Sequence, residues 1–493
     1  MKKHTVNELL SGYSSAIIPD HLSNSAAIPV VSHSYAENNS LLFVTDKSDG
    51  TNIPFDCSIL NKAPIAMVVS KHKEVLTPPC PVIRVDNSRE ALSYALSNYY
   101  GVDYGRTLFI GVTGTNGKTT TASLIYEILR ASGYKVGFIG TGKIEYNGAL
   151  ISNDTYSMTT PDPTTLYPAI AKMQEDGCQY IVMEVSSHGI ALGKVAPIRF
   201  EYSIFINLDN DHLDFHHSKE DYFTTKLRLF SISKQGLFNL DDEYSRKAFK
   251  LSGCKKSTFG IIQDADAYAT EILENKLGGL SFYYREDGLI FKVNSSFVGA
   301  FNVYNILAAL RCVIDLGIKP CIAKKAIEKI QLIDGRMEII KGTVNTLIDY
   351  AHTPSAFYNC LKTAKALVTS RQKLIVVFGC GGNRDKYKRS IFGKYANLLA
   401  DTIIITEDNC RNESFESIAS DIVSEISCTK FHIIPDRETA IRYAYRSSSP
   451  GDLVALIGKG HEKYKIVGSD YITFDERKIA LEEMERLHCL YES

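Results

Sequence analysis

Residues 107–133, TLFIGVTGTNGKTTTASLIYEILRASG, read as a strand, a tight polar turn and a helix. Thr107 to Val112 is a short apolar run rich in β-formers, and Thr113 to Gly117 holds two glycines and an asparagine, so the backbone can turn sharply. From Thr119 the apolar period changes. Ala122, Ile125 and Leu129, with Leu124 and Ile128, fall on one helical face, and Gly133 stands where a C-terminal cap glycine belongs. A glycine-bearing turn at a helix N-terminus aims backbone N–H groups at one point and adds the positive end of the helix dipole, so it suits phosphate. Lys118 adds a mobile positive charge, and Thr119 a hydroxyl of the kind that serves Mg2+. The spacing departs from the ordinary P-loop, because Val112 stands where that pattern needs glycine. The plain alternative is a strand–helix turn that merely contains Gly-Lys. Gly117, Lys118, Thr119 and Thr120 at phosphate-binding offsets weigh against it. Alone, the stretch implies a nucleotide phosphate and leaves the reaction open.

On either side the chain alternates short strands and helices. The central region shows further strands at Tyr180–Val185, Tyr202–Leu208 and Gly236–Asn239, with helices at Pro163–Asp176, Lys219–Leu229 and Asn302–Leu316. This alternation predicts a mostly parallel, doubly wound sheet, with ligands at the C-terminal strand ends. The pattern restarts near 333 with strands at Thr346–Tyr350, Lys373–Phe378, Thr402–Thr406, Phe431–Ile434 and Leu453–Ile457. Before the phosphate loop lie weaker signals: AIPVV, SLLFVT, PIAMVVS and PVIRV, a turn at Asp49-Gly50 and a helix from Ser88 to Tyr99. The expectation is an α/β protein of three units, residues 1–97, 98–332 and 333–493. A chain of 493 residues suits two to four domains of about 100–200 residues each.

Composition narrows the function classes. Hydrophobic content of 44% with 23% charged residues is that of an ordinary globular protein, and a net charge of −1 gives no global attraction to nucleic acid or anionic membrane. No apolar run approaches the ~18–20 residues of a spanning helix, and the segment after Met1-Lys2-Lys3 is too polar for a signal peptide. Eleven cysteines without a CxxC fit reduced thiols in a cytoplasmic enzyme.

Polar residues cluster at the expected strand ends. One strand runs into Glu184-Val185-Ser186-Ser187-His188; the next runs into Asn207 and then Asp211-His212-Leu213-Asp214. Mg2+ takes oxygen ligands and shares its shell with phosphate and water, so Glu184 and Thr119 fit one such site. His212 is a further ligand or phosphate-side donor. Helix capping by Asp211 and Asp214, and a satisfied core role for His188 or His212, are the plain structural alternatives. Lys226 sits among Leu227, Leu229 and Phe230, which suggests a buried lysine with a lowered pKa.

The ordered motifs GTNGKTT (114–120), TTPDP (159–163), EVSSHG (184–189), NLDNDHLDFH (207–216), Lys226, FNVYN (301–305), DGRME (334–338), DYAHTP (349–354), FGCGGNRDKYKR (378–389), DNCR (408–411) and GKGHE (458–462) resemble those of the Mur ligases. The likeness runs from about 107 to the C-terminus. It implies an ATP-dependent, ADP-forming ligase. A substrate carboxylate attacks the γ-phosphate, and an amine then displaces phosphate from the acyl phosphate. The three units become an N-terminal UDP-substrate domain, a central P-loop-type ATPase domain and a C-terminal Rossmann-like amino-acid domain.

By the resemblance, Gly114, Thr115, Asn116, Gly117, Lys118, Thr119 and Thr120 hold ATP phosphates, with Asn305, Arg336 and Asp349 on the adenosine side. Thr119, Glu184, His212 and a CO2-derived carbamate on Lys226 serve Mg2+, and Lys118, His212 and Lys226 are the catalytic set. Ser34, Thr159, Thr160, Ser186 and Lys194 contact the UDP-sugar peptide. Arg384, Asp408, Asn409, Cys410, Arg411, Gly458 and Glu462 form the amino-acid pocket. Arg411 favours meso-diaminopimelate over lysine, because a guanidinium pairs with the distal carboxylate that lysine lacks. The expected partners are small molecules, not nucleic acid or a membrane, and the expected state is a monomer in the cytoplasm. Two other readings stay open: a ligase of this type for another carboxylate and amine, and a catalytically silent nucleotide-binding paralogue. The family pattern after SSH usually ends in arginine where Lys194 stands, and His33-Ser34-Tyr35 replaces its DSR-type segment.

Overall fold

The computed structural model describes residues 4–31, 33–45, 54–152, 158–213, 215–275, 279–427, 430–468 and 470–492. Met1-Lys2-Lys3, the Asp49-Gly50 turn and Asp214 lie outside the described residues. Among the described residues the main sheets have five, eleven and six strands.

The first sheet runs in chain order, His4–Thr5, Ala26–Val30, Ser40–Val44, Ala66–Ser70 and Val82–Val85, parallel after its first pairing. Helix Ser88–Tyr99 covers it, burying Ala91, Leu92, Ala95 and Leu96 along one stripe. The Asn87 carboxamide caps this helix, accepting from the N–H groups of Arg89 and Glu90 at 3.0 and 3.2 Å. Asn87→Ala is expected to cost about 1 kcal/mol in chemical denaturation, the ordinary worth of such a cap. The same helix spans position 97/98, where the sequence reading divides the first two units, and packs against helix Pro163–Glu175. One apolar cluster joins Leu41, Phe43 and Leu92 to Phe109, Ile170 and Met173.

The eleven-stranded sheet has a parallel heart: Val136–Gly140, Tyr180–Glu184, Leu108–Thr113, Phe200–Phe205, Ser233–Asn239 and Lys255–Gly260, in that spatial order. Leu108–Thr113 is central, so the phosphate loop emerges mid-sheet. Helix Lys118–Ala131 packs with helix Phe301–Asp315 over Ile110, Val112, Ile125, Leu129, Ile306 and Leu310. The sheet is mostly parallel, as expected, and antiparallel hairpins extend it at both ends. One turns at Asn147-Gly148, both at positive φ (51° and 92°), the geometry that Asn-Gly favours.

The third sheet runs Glu338–Ile340, Asn345–Asp349, Leu453–Ile457, Leu374–Phe378, Thr402–Ile405 and Lys430–Ile433, parallel after the first pairing. The strand of this sheet that comes last in the chain, Leu453–Ile457, is inserted between two earlier ones. Asp349 and Phe378 both pair with Ile457, so three strand C-termini lie side by side. That is a switch point, where open parallel sheets leave a ligand crevice. DYAHTP, FGCGGNR and GKGHE begin there. No described helix is long and apolar enough to cross a membrane.

Candidate active site between the central and C-terminal sheets

A cleft of about 690 Å3 lies between the two sheets, with the phosphate loop on one wall and the switch point on the other. Gly117 opens the loop helix at φ +85°, and a Cβ there would fall 2.4 Å from Asn305 Oδ1. Any larger residue would push Asn305 away. Asn207 secures the turn: its side-chain oxygen accepts from Asn116 N (2.9 Å), its carbonyl accepts from Thr115 N (3.0 Å), and its Nδ2 donates to Asn116 O (3.1 Å). Lys118 Nζ donates to the carbonyls of Gly114 and Thr115 at 3.0 and 2.9 Å, and burial lowers its pKa.

Glu184 is 1% exposed and lines the cleft. Its carboxylate accepts from the hydroxyls of Thr119 (2.9 Å) and Thr141 (3.2 Å) and from Thr141 N (3.0 Å). Thr119 Oγ1 also accepts from Arg336 Nη2 at 2.9 Å. A buried carboxylate beside a loop hydroxyl is a hard-oxygen set that suits Mg2+. Asp211 and His212 face the same cleft. Burial opposes charge on Asp211, but His212, His352, Lys388 and Lys118 together hold its carboxyl down at about 2. Burial pushes the His212 imidazole down to about 3, against the pull of Asp211. His212 adopts φ +54°, an uncommon conformation for a residue with a side chain.

Lys226 lies behind the loop in the last turn of helix Lys219–Leu227, 1% exposed. Its Nζ donates to Gly114 O at 3.0 Å and sits 4.6 Å from the Tyr222 ring centre. Burial, helped by Lys118, lowers its pKa well below that of an ordinary lysine.

The C-terminal unit reaches across the cleft. Asn116 Nδ2 donates to Ser355 Oγ at 3.1 Å, and Thr353 Oγ1 donates to Asn116 Oδ1 at 3.2 Å. Arg336 stacks over Tyr350, its guanidinium carbon 4.8 Å from the ring centre. Asp349 uses its two oxygens on backbone, accepting from Met337 N (2.7 Å) and Ala351 N (2.8 Å). Its geometry therefore fixes the DGRM turn that carries Arg336. Asn305 donates to Asn302 Oδ1 and accepts from Thr121.

At the switch point Asp408, Asn409, Arg411, Gly458, Glu462 and Arg384 share the cleft lining. Arg411 stands at φ +52° and donates through Nη1 to the carbonyls of Gly382 (2.9 Å) and Asn409 (3.2 Å), which orients its guanidinium. Burial and the like charge of Arg384 lower its pKa, a pairing that favours an anion between them. Cys410 is outside the lining; its backbone carbonyl receives Glu413 N at 3.1 Å.

The cleft thus gathers the loop from Thr115 to Thr120, Thr159, Glu184, His212, Asn305, Arg336 and Asp349 with the pocket residues. Gly114, Lys226, Thr160, Ser186, Lys194 and Ser34 do not line it. Thr160 and Ser186 instead bond to one another at 3.1 Å, and Lys194 Nζ reaches Thr160 O at 3.2 Å and Asp162 at 2.8 Å, one connected network beyond Glu184. Ser34 is exposed in the first unit. Thr141, Lys388 and Lys459 were not read as site residues from sequence. Lys388 and Lys459 lie inside the quoted motifs, whereas no pattern singles out Thr141.

Two family models match the chain, "Mur ligase middle domain" over residues 112–313 and "Mur ligase, glutamate ligase domain" over 335–460. The chain is 39% identical over 414 residues to the UDP-N-acetylmuramoyl-L-alanyl-D-glutamate–2,6-diaminopimelate ligase 1 of Clostridium acetobutylicum, covering 83% of this chain and 85% of that one. It is 39% identical over 411 residues to the corresponding ligase of Clostridium tetani, covering 82% and 83%. A solved structure of a ligase of that name superposes with a TM-score of 0.67 at 27% identity, over 99% of this chain and 100% of that one. A folylpolyglutamate synthase from Mycobacterium tuberculosis, at 15% identity and a TM-score of 0.64 over 74% and 91% of the two chains, shares the fold.

Proposed function

The chain belongs to the Mur ligase family of ATP-dependent ligases, and on that premise we propose that it joins meso-diaminopimelate to the D-Glu γ-carboxylate of UDP-MurNAc-L-Ala-D-Glu, a step of peptidoglycan precursor synthesis. One observation carries the reading. A phosphate loop faces, across a single cleft, a pocket that presents Arg384 and Arg411 beside Asp408 and Glu462. A pocket with both signs of charge suits the zwitterionic end of a diamino dicarboxylic acid.

The proposed division of labour follows. Gly114 to Thr120 cradle the ATP phosphates. Lys118 neutralises charge as the substrate carboxylate approaches the γ-phosphate, two anions that otherwise repel. Thr119 and Glu184, with His212 and a carbamate on Lys226, would hold Mg2+, which supplies charge neutralisation at the phosphates. Asn305 and Arg336 flank the nucleotide, and Asp349 positions Arg336. Thr159, Thr160, Ser186, Lys194 and, in residues 1–97, Ser34 bind the UDP-sugar peptide. The amine held by the C-terminal pocket then displaces phosphate. We place the unit boundaries at 98 and 333, with the UDP-substrate and nucleotide sites each drawing on two units, and take the protein to act as a cytoplasmic monomer.

Substrate labelled with 18O in the γ-carboxylate tests the acyl phosphate. The phosphate released is expected to carry one labelled oxygen, and unlabelled phosphate would refute that step. Arg411→Ala tests the amine choice. A charged hydrogen bond worth about 1.5–3 kcal/mol implies that the ratio of kcat/KM for diaminopimelate over lysine falls roughly ten- to hundred-fold. An unchanged ratio would remove Arg411 from specificity.

A further inference from the structure

Lys459 is fully buried beneath the amino-acid pocket. Its Nζ lies 3.1 Å from Asp408 Oδ1, 3.0 Å from Asn409 Oδ1 and 3.5 Å from Glu462 Oε2. It also donates to Tyr464 O at 2.9 Å, in the hairpin Tyr464–Val467 and Asp470–Thr473. Asn409 Nδ2 donates to Glu462 Oε2 at 3.0 Å, and Ile466 N donates to Asn409 Oδ1 at 2.9 Å. Every side chain that Lys459 meets here lines the cleft.

Resting on the reading of this pocket as the amino-acid site, we propose that Lys459 is a specificity-determining positioning residue. It ties Asp408, Asn409 and Glu462 into one cluster and leaves a single carboxylate charge to meet the substrate. The distal end of diaminopimelate is a zwitterion, so it needs one negative and one positive counterpart. The cluster supplies the first and the Arg411–Arg384 pair the second. Without Lys459, two adjacent carboxylates would both need compensation. The pocket would then favour added cations over a zwitterion.

Burial chemistry agrees with this arrangement. Burial opposes charge on Asp408, but Lys459 and Arg437 keep its pKa low, while burial and Asp408 raise that of Glu462. The two acids are made unequal, as a buried cation nearer one of them requires. A buried ion pair used only for packing can be replaced by apolar groups at little cost. This one touches the recognition side chains, so its loss reads out in substrate choice.

The test is a cycle of Lys459→Met, Asp408→Asn and the double variant in steady-state assays, with thermal melts as folding controls. Lys459→Met is expected to raise KM for diaminopimelate about tenfold or more and to lower its preference over lysine, with KM for ATP within about twofold. The double variant, which removes both charges, is expected to recover part of that loss. A diaminopimelate KM within about twofold of the parent in Lys459→Met, or purely additive effects in the cycle, would overturn the proposal. Should Lys459→Met fail to fold, the double variant is compared with Asp408→Asn alone. The proposal requires the double variant to have the lower diaminopimelate KM, and the reverse order overturns it. Absence of diaminopimelate turnover in the parent would instead fail the reading of the pocket.

Discussion

Lys118→Met will fold and still lose roughly 10²–10³-fold or more in kcat/KM, about 2.7–4 kcal/mol of transition-state stabilisation, the range seen when one preorganised donor to developing charge is removed. The side chain is placed for this. It stands at the first residue of helix Lys118–Ala131, so its charge adds to the helix dipole and to the loop N–H groups at one point. Its Nζ rests on the carbonyls of Gly114 and Thr115, within the loop itself. Glu184 and Asp211 are the nearby acids that favour its charged form against burial. Methionine keeps the stem and removes the charge. Steady-state kinetics with a thermal melt will separate the two effects. A folded variant within about threefold of the parent would remove Lys118 from the chemistry.

Lys226→Ala will cost a comparable factor for a different reason. Lys226 does not line the cleft, and as a free amine it ties helix Lys219–Leu227 to Gly114 O and to the Thr113 hydroxyl. Burial, helped by Lys118, lowers the pKa of that amine and so favours its neutral form relative to an ordinary lysine, and a neutral amine adds to CO2. The proposed carbamate would be a carboxylate equivalent behind the loop. Loss of the side chain should therefore be partly repaired by formate or acetate, which can enter the space left. Parent protein equilibrated with 13C-bicarbonate should give a carbamate carbon signal that the variant lacks. Absence of that signal in the parent would overturn the modification, and an alanine variant of full activity would remove Lys226 altogether.

How far the molecule was legible depended on where the physics is local. Helix Ser88–Tyr99 and strand Leu453–Ile457 stand where the apolar pattern placed them, because a single apolar stripe marks the helix and a short continuous apolar run, buried on both faces, marks the strand. Phosphate-loop geometry followed from Gly117 and Lys118, whose roles depend on backbone and charge within a single turn. The hairpin at Asn147-Gly148 was missed although that dipeptide is a strong turn signal, because its strands, Lys143–Tyr146 and Ala149–Ser152, are short and mostly at the surface, with no clear buried face to mark them. Thr141 was invisible for another reason. Its value lies in holding Glu184, a contact 43 residues away in sequence that no periodicity encodes. Lys459 stood inside a quoted motif, yet its burial among Asp408, Asn409 and Glu462 becomes apparent only once three strand ends lie side by side.

Asp349 lines the cleft, and its oxygens hold Met337 N and Ala351 N, a backbone role that the motif alone does not reveal. The cross-cleft bonds between Asn116 and Ser355 and Thr353 link the phosphate loop to the C-terminal unit.

The most direct test of the central claim offers the purified protein ATP, Mg2+ and UDP-MurNAc-L-Ala-D-Glu, with and without meso-diaminopimelate, and follows phosphate release together with the mass of the UDP-linked product. The account predicts phosphate released in step with a UDP-tripeptide bearing diaminopimelate, dependent on all the components. A folded protein that forms no such product, or that turns over lysine as efficiently as diaminopimelate, would contradict it.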